Sequence, residues 1–266
     1  MRDLKFSLLS LCVQSFDHNV QELINRKQTL EQITEVCSNA RKLGYTSINF
    51  DLIYGLPQQN ADSIRDTMNK VTALKPERIA FYSYAHVPWM RPGQRAYSEK
   101  DLPSGAEKRG LYDLGREMLQ NAGYLEVGMD HFSLPKDSLL IAQQNGKLHR
   151  NFMGYTTTNT KLMVGLGTSS ISDATTCLAQ NHKTVEEYQS SIDRGEFPIF
   201  KGHELSEQDL LFRQHILDLI CTYKTRLGED GLNSGFLADL RQRSHEFETD
   251  GLVTFGGDEL IVTDAG

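Results

Sequence analysis

Cysteine is scarce. The 266 residues contain four, Cys12, Cys37, Cys177 and Cys221, and no two are close enough for a C-x2-C or C-x3-C pair. That spacing excludes a local zinc or iron–sulfur cradle built from neighbouring cysteines, and so few thiols at this length argue against a disulfide framework. With 7 Pro against 21 Gly and 39% hydrophobic residues, the composition is globular, neither collagen-like nor disordered. No apolar run reaches the length of a membrane span, which excludes an integral helical membrane protein. An excess of positive charge is also missing: 28 Lys and Arg stand against 35 Asp and Glu, a net charge of −7. A general nucleic-acid binder needs a basic surface, so that class is excluded, while a local basic pocket for an acidic small molecule is not. There are no internal repeats and no low-complexity tracts.

The start, MRDLKFSLLSLCVQSF, has the outline of a signal peptide. Asp3 in the would-be basic region, a very short apolar stretch and the absence of a small-x-small site favour a buried strand from Phe6 to Val13 and a cytoplasmic protein. Short apolar runs then alternate with helical patterns. Thr29 to Leu43 reads as a helix with a Thr29/Gln32 capping box and a stripe of Ile33, Val36, Ala40 and Leu43. Ser47 to Tyr54 reads as a strand closed by Gly55-Leu56-Pro57, Ala61 to Leu74 as a helix, Ile79 to Tyr84 as a strand, Glu107 to Ala122 as a helix and Tyr124 to Met129 as a strand. Lys161 to Leu166 is a weaker strand candidate. This alternation implies βαβ crossovers and a mostly parallel sheet, a (β/α) barrel or part of one, since no G-x-G-x-x-G follows the first strand. From about Ser206 the texture changes to a helix, a polar helix at Phe236 to Phe247, and a hairpin with a four-residue turn at Gly256 to Glu259. The expected division is residues 1–204 as the partial barrel and 205–266 as a helical, winged-helix-like accessory domain.

In parallel α/β barrels, functional residues gather at the C-terminal ends of strands. Gln14, Asp51, Tyr84, His86, Asp130 and His131 hold such positions. Asp51, flanked by Phe50, Leu52 and Ile53, is costly to bury without partners, so it meets either ligand hydroxyls or a cation such as Arg26 or Arg78. His86, His131 and His149 are candidate metal ligands or proton carriers, and equally hydrogen-bonded structural histidines. Gly165 to Ile171 has the outline of a phosphate-cradling loop, with a tight turn as the default. Leu148 to Tyr155 combines cations and aromatics in a loop that suits an aromatic, anionic ligand or simply faces solvent.

The strings LSLCVQSFD, LINRKQ, INFDLIYGLP, YAHVPW, GYLEVGMDHFSLP, HRNFMGYTT and GLGTSSIS run through the chain in order. Together they resemble the oxygen-independent coproporphyrinogen III oxidases, radical S-adenosylmethionine enzymes of haem biosynthesis. By that resemblance Gln14, Arg26, Asp51, Ala85 and Ile171 fall on positions that contact S-adenosylmethionine. The implied reaction is oxidative decarboxylation of two propionates of coproporphyrinogen III to vinyl groups, giving protoporphyrinogen IX. It uses S-adenosylmethionine and a 4Fe–4S cluster, an electron donor and an electron acceptor, with no nucleic acid or membrane partner and a monomeric complete enzyme. Arg91, Arg95, His131, His149 and Arg150 are candidates to meet the substrate carboxylates. The family's C-x3-C-x2-C cluster motif belongs to a loop before this chain starts, and the family's C-terminal end lies beyond its last residue. The resemblance therefore implies a fragment, with no metal ligand of its own and inactive alone. Cys12 stands where relatives usually have Gly. Two other readings are a haem- or porphyrin-binding, chaperone-like relative without oxidase activity, and a metal-dependent barrel hydrolase using Asp51, His86, His131 and His149.

Overall fold

A computed structural model describes residues 7–227 and 234–266. Two compact units divide the chain, residues 1–141 and 142–266. Among the described residues no helix is long and apolar enough to cross a membrane.

In the first unit the order is β1 (Leu8–Gln14), α1 (His18–Leu23), α2 (Leu30–Lys42), β2 (Ser47–Tyr54), α3 (Ala61–Leu74), β3 (Arg78–Ser83), α4 (Gly105–Asn121), β4 (Leu125–Val127) and β5 (His131–Ser133). Phe6, where the sequence places the start of the first strand, lies outside the described residues. The helices start where the chain offers caps. Thr29 accepts from Gln32 N while the Gln32 side chain accepts from Thr29 N, the expected capping box. Ser104 and Glu107 form another, which extends α4 two residues upstream of the periodic pattern.

The five strands form one sheet in the order β1-β2-β3-β5-β4. β1, β2 and β3 are parallel, but β5 runs antiparallel to both β3 and β4. The sheet is thus mixed rather than mostly parallel. Only Gly128, Met129 and Asp130 separate β4 from β5, too few for a crossover, so these strands must form a hairpin. β5 therefore begins at the edge where β2 and β3 end. Helices α2, α3 and α4 bury Ile33, Cys37, Ala40, Ile64, Met68, Val71, Leu111 and Leu119 in one core with Val13, Ile48, Phe50, Leu52, Ile79, Phe81 and Phe132 of the strands. Gly115 of α4 lets that helix approach: a Cβ there would lie 2.5 Å from the Phe81 ring.

The second unit is built from short antiparallel pieces. After α5 (Ser138–Gln144), which spans the division between units, come β6 (His149–Asn151) and β7 (Gly154–Thr156), a hairpin where the sequence suggests a loop. β8 (Ile171–Asp173), β9 (Cys177–Asn181), α6 (Val185–Asp193) and β10 (Ile199–Glu204) follow, with strand order β10-β9-β8. Lys161 to Leu166 forms no strand; only Met163 bridges Asp173. The chain then runs through α7 (Glu207–Thr222), β11 (Lys224–Arg226), α8 (Ser234–Thr249), β12 (Val253–Gly256) and β13 (Glu259–Val262), with strand order β11-β13-β12. The last hairpin turns on two residues, not four, because Gly257 takes φ +68° and Gly256 pairs with Glu259.

Candidate functional site

Strand alternation gives the sheet of the first unit a second face opposite its helix-covered core. On it, Ser10 pairs with Asn49 and Asn49 with Arg78, which pairs with Ser133. One step toward the ends of β2 and β3, Asp51 pairs with Ala80 and Ala80 with His131. Both faces of β2 are shielded, since Ser47 and Asn49 are buried as well as Ile48 and Phe50. Polar groups buried there must find partners.

Asp51 finds its partners on the sheet. The Asp51 carboxylate accepts from Asn49 Nδ2 at 2.7 Å through Oδ1, and from Ser10 Oγ and Cys12 Sγ, both at 3.2 Å, through Oδ2. An ion pair to Arg78 was one expectation for Asp51, and the structure replaces it. Arg78 Nε donates to Asp137 Oδ1 at 2.7 Å, and Ser47 Oγ donates to Asp137 Oδ2 at 2.8 Å. Asp137, 59 residues away in sequence from Arg78, is the nearer acceptor, and its side chain is almost fully buried. Arg26 is exposed and interacts with Cys12. Burial, followed by the hydrogen bond and charge of Asp51, raises the Cys12 thiol above its ordinary value, against the opposing pull of Arg26.

Gln14 ends β1 with φ +66°, beside a β-bulge between Leu11 and Gln14. A non-glycine residue in the left-handed region is strained, and such strain re-aims side chains at functional edges. Beyond β3, Ala85 is exposed, and its carbonyl accepts from Gln94 Nε2 at 3.1 Å. The Tyr84 hydroxyl lies 2.6 Å from that of Tyr97 and 3.3 Å from His86 Nδ1. Burial, then the hydrogen bond with Tyr97, pushes the Tyr84 phenol well up. Lys108 Nζ donates to the Tyr84 carbonyl at 2.6 Å, and burial lowers its pKa. Its stem packs over Gly55, at a point where a Cβ would clash.

His131 is buried, with Nδ1 2.6 Å from Asp130 Oδ1 and its ring edge-on to Tyr82. Arg91 and Arg95 are exposed around the 3-10 turn Pro92–Ala96, and Arg95 Nε donates to the Pro88 carbonyl. Asp51 and His131 thus share one face and one register row, whereas Arg91 and Arg95 belong to the loop beyond β3.

In the second unit His149 and Arg150 lie on β6, and the Arg150 guanidinium sits 4.5 Å from the centre of the Tyr155 ring. Burial, then the charge of Arg213, lowers the His149 pKa, with Asp173 opposing. An imidazole held neutral donates an N–H but brings no charge to an anion, so of the two Arg150 is the better carboxylate partner. Ile171 opens β8 after the Gly165 to Ser170 turn. That turn uses its amides internally: Gly165 N donates to Ser172 Oγ, Gly167 N to Tyr188 OH and Ser169 N to the His182 carbonyl. Every second amide of this tight turn is thus already committed to a protein acceptor.

Asn49, Ser10, Tyr97 and Asp137 carry no motif that marks them as site residues in the sequence. One signal could have found the first: in Ser47-Ile-Asn-Phe-Asp-Leu, polar residues fall on every second position. Among the described residues no group of three or more His, Cys, Asp or Glu could hold a metal ion. All four cysteines are free thiols, Cys37 and Cys221 buried and Cys12 and Cys177 exposed. These cysteines do not fit a 4Fe–4S cluster. The Asp51 carboxylate keeps acceptor capacity and its donor Cys12 interacts with the exposed Arg26, a donor and acceptor set whose chemistry suits ligand hydroxyls and a carboxylate.

The model of the radical SAM superfamily matches residues 1–71. The chain is 39% identical to the oxygen-independent coproporphyrinogen III oxidase of Synechocystis sp., over 100% of this chain and 59% of that protein. It is also 39% identical to the protein of the same name from Pseudomonas aeruginosa, again over 59% of its length. The solved structure of the coproporphyrinogen III oxidase of Escherichia coli, described as a radical SAM enzyme, superposes with a TM-score of 0.92 at 36% identity, covering 99% of this chain and 62% of that one. The chain therefore spans about three-fifths of the relatives it matches.

Proposed function

Because the chain belongs to the oxygen-independent coproporphyrinogen III oxidase family, we propose that it forms the part of such an oxidase that holds S-adenosylmethionine and coproporphyrinogen III. The observation that carries this reading is Asp51, a carboxylate on the polar face of the sheet whose hydrogen-bond donors are neutral side chains rather than a cation. Asp51 would accept from ribose hydroxyls, and the Arg26 guanidinium would pair with the amino-acid carboxylate. Gln14, re-aimed by its bulge, and the backbone of Ala85 would complete the contacts of the first unit. Ile171 is proposed on the resemblance alone and is tested by its own variant. When bound, S-adenosylmethionine supplies the radical chemistry of the superfamily. The propionates of coproporphyrinogen III would meet Arg91, Arg95, His131, His149 and Arg150, and conversion to protoporphyrinogen IX requires an electron donor and acceptor. We place this function in the cytoplasm and in a monomer, and assign residues 205–266 to an accessory module beside the catalytic segment 1–204. Since the cysteines do not fit a cluster, these 266 residues by themselves should assemble no stoichiometric 4Fe–4S cluster and turn over no coproporphyrinogen.

Cys12 offers the direct test, because its thiol touches Asp51 and is exposed. Saturating S-adenosylmethionine should protect Cys12 from iodoacetamide while leaving the exposed Cys177 reactive. Undiminished alkylation of Cys12 would overturn the cofactor assignment. Iron and sulfide analysis after anaerobic reconstitution checks the second claim, and a full cluster with turnover would contradict it.

A further inference from the structure

The Asp51 carboxylate is held by a closed ring of side-chain hydrogen bonds. Asn49 Nδ2 donates to Asp51 Oδ1 at 2.7 Å and to Ser10 Oγ at 2.9 Å, and Ser10 Oγ donates to Asp51 Oδ2 at 3.2 Å. The ring fixes the amide's assignment. An ionised carboxylate only accepts, so the Asn49 atom facing it must be the NH2 group. Rotating the carboxylate about its own bond would break contacts at both oxygens.

We propose that Asn49 is a positioning residue for Asp51, its amide tying the carboxylate to Ser10 and fixing the orientation in which Asp51 meets a ligand hydroxyl. This rests on the reading of Asp51 as a cofactor contact and deepens it. Two observations support it beyond the ring. Asn49 is 8% exposed, and its Oδ1 is buried with no hydrogen-bond partner among the described residues. An apolar side chain of similar size would fill the same space without stranding a carbonyl oxygen, so packing alone does not account for an amide here. The second observation concerns capacity. A carboxylate offers about four acceptor sites, two per oxygen. Oδ2 already takes Ser10 and Cys12, whereas Oδ1 takes Asn49 alone, so the free site is on the oxygen that Asn49 holds. A second ligand hydroxyl could enter only by displacing the Cys12 thiol, the weakest donor present.

Cys12 reports on this arrangement without any ligand. The groups facing its thiol are Asp51, which raises its pKa, and Arg26, which lowers it. Alkylation of Cys12, mapped by mass spectrometry from about pH 7 to about pH 10, would be compared in the whole chain and three variants. Asp51→Asn should lower the midpoint and speed alkylation on the order of threefold or more below it. Asn49→Leu should shift it in the same direction, because the released carboxylate swings off the thiol. Ser10→Ala, at an exposed position that tolerates change, should give a smaller shift of the same sign. If Asn49→Leu titrates as wild type while Asp51→Asn shifts, Asn49 does not orient Asp51. If Asp51→Asn does not shift either, the ring itself is wrong. Equilibrium dialysis with S-adenosylmethionine separates the two layers of the claim. Wild-type affinity in Asp51→Asn would sink the cofactor reading while leaving the Cys12 titration to decide the role of Asn49. Wild-type affinity in Asn49→Leu alone would sink the positioning role.

Discussion

The two faces of the five-stranded sheet are made by the same strands and do different work. Toward the helices point Ile48, Phe50, Leu52, Ile79, Phe81 and Phe132, all almost fully buried in one apolar core. The opposite face carries Ser10, Cys12, Asn49, Asp51, Arg78 and His131, tied by hydrogen bonds to each other or to Asp130 and Asp137. A sheet shielded on both sides needs only apolar side chains for stability. On the polar face the buried Arg78–Asp137 pair serves the fold, whereas the carboxylate of Asp51 keeps acceptor capacity beyond it, so substitutions of Asp51 and of the apolar face should separate binding from folding.

The largest effects should come from buried groups on either face. Phe50→Ala should destabilise by about 3–5 kcal/mol through the cavity it leaves. Arg78→Met should cost a similar ~3–5 kcal/mol, because it leaves the buried Asp137 carboxylate without its countercharge. Urea unfolding measures both. The double change Arg78→Met with Asp137→Leu should recover much of the loss, and no recovery would show that the pair is not what stabilises this end of the face. A smaller effect belongs to the helix side: Gly115→Ala pushes a methyl into the Phe81 ring and should cost about 1–3 kcal/mol by overpacking. Smaller still in stability is Asp51→Asn, expected within ~1 kcal/mol of wild type, since the exposed Ser10 and Cys12 can turn to water.

The smallest effect tests the second unit by contrast. The His149 midpoint, followed by NMR, should lie below its ordinary value, and Arg213→Gln should raise it. Folding weakens proton binding at His149, so its contribution to stability is intact above the unfolded pKa of about 6.5 and is lost as pH falls through the folded value. A midpoint at or above 6.5 would contradict the burial described for β6.

Much of the helix face was legible in the sequence: α2 is read from its Thr29/Gln32 capping box and a stripe of which Ile33 and Ala40 are buried, while Val36 and Leu43 are exposed and Cys37 is buried instead. The antiparallel β5 was missed because three residues hide the hairpin between two very short strands. Of the candidate site, Asp51 stood out as a carboxylate in an apolar run. Its partners did not: Ser10 and Cys12 reach it only through the parallel register with β2, and register between distant segments is a tertiary property. Asp137 was hidden for the same reason. The left-handed Gln14 carries no glycine or asparagine to announce it. In the second unit the short strands escaped because three-residue pieces such as β6 and β7 have no period to read.

Phe50 and Asp51 are adjacent residues on opposite faces, and their substitution tests the two faces most directly. S-adenosylmethionine affinity and urea stability should be measured together on wild type and Asp51→Asn. The prediction is a loss of affinity of about tenfold or more, the worth of a hydrogen bond to a charged group, with unfolding little changed. Wild-type affinity in Asp51→Asn, or a collapse of stability as large as that of Phe50→Ala, would contradict the division of labour between the two faces.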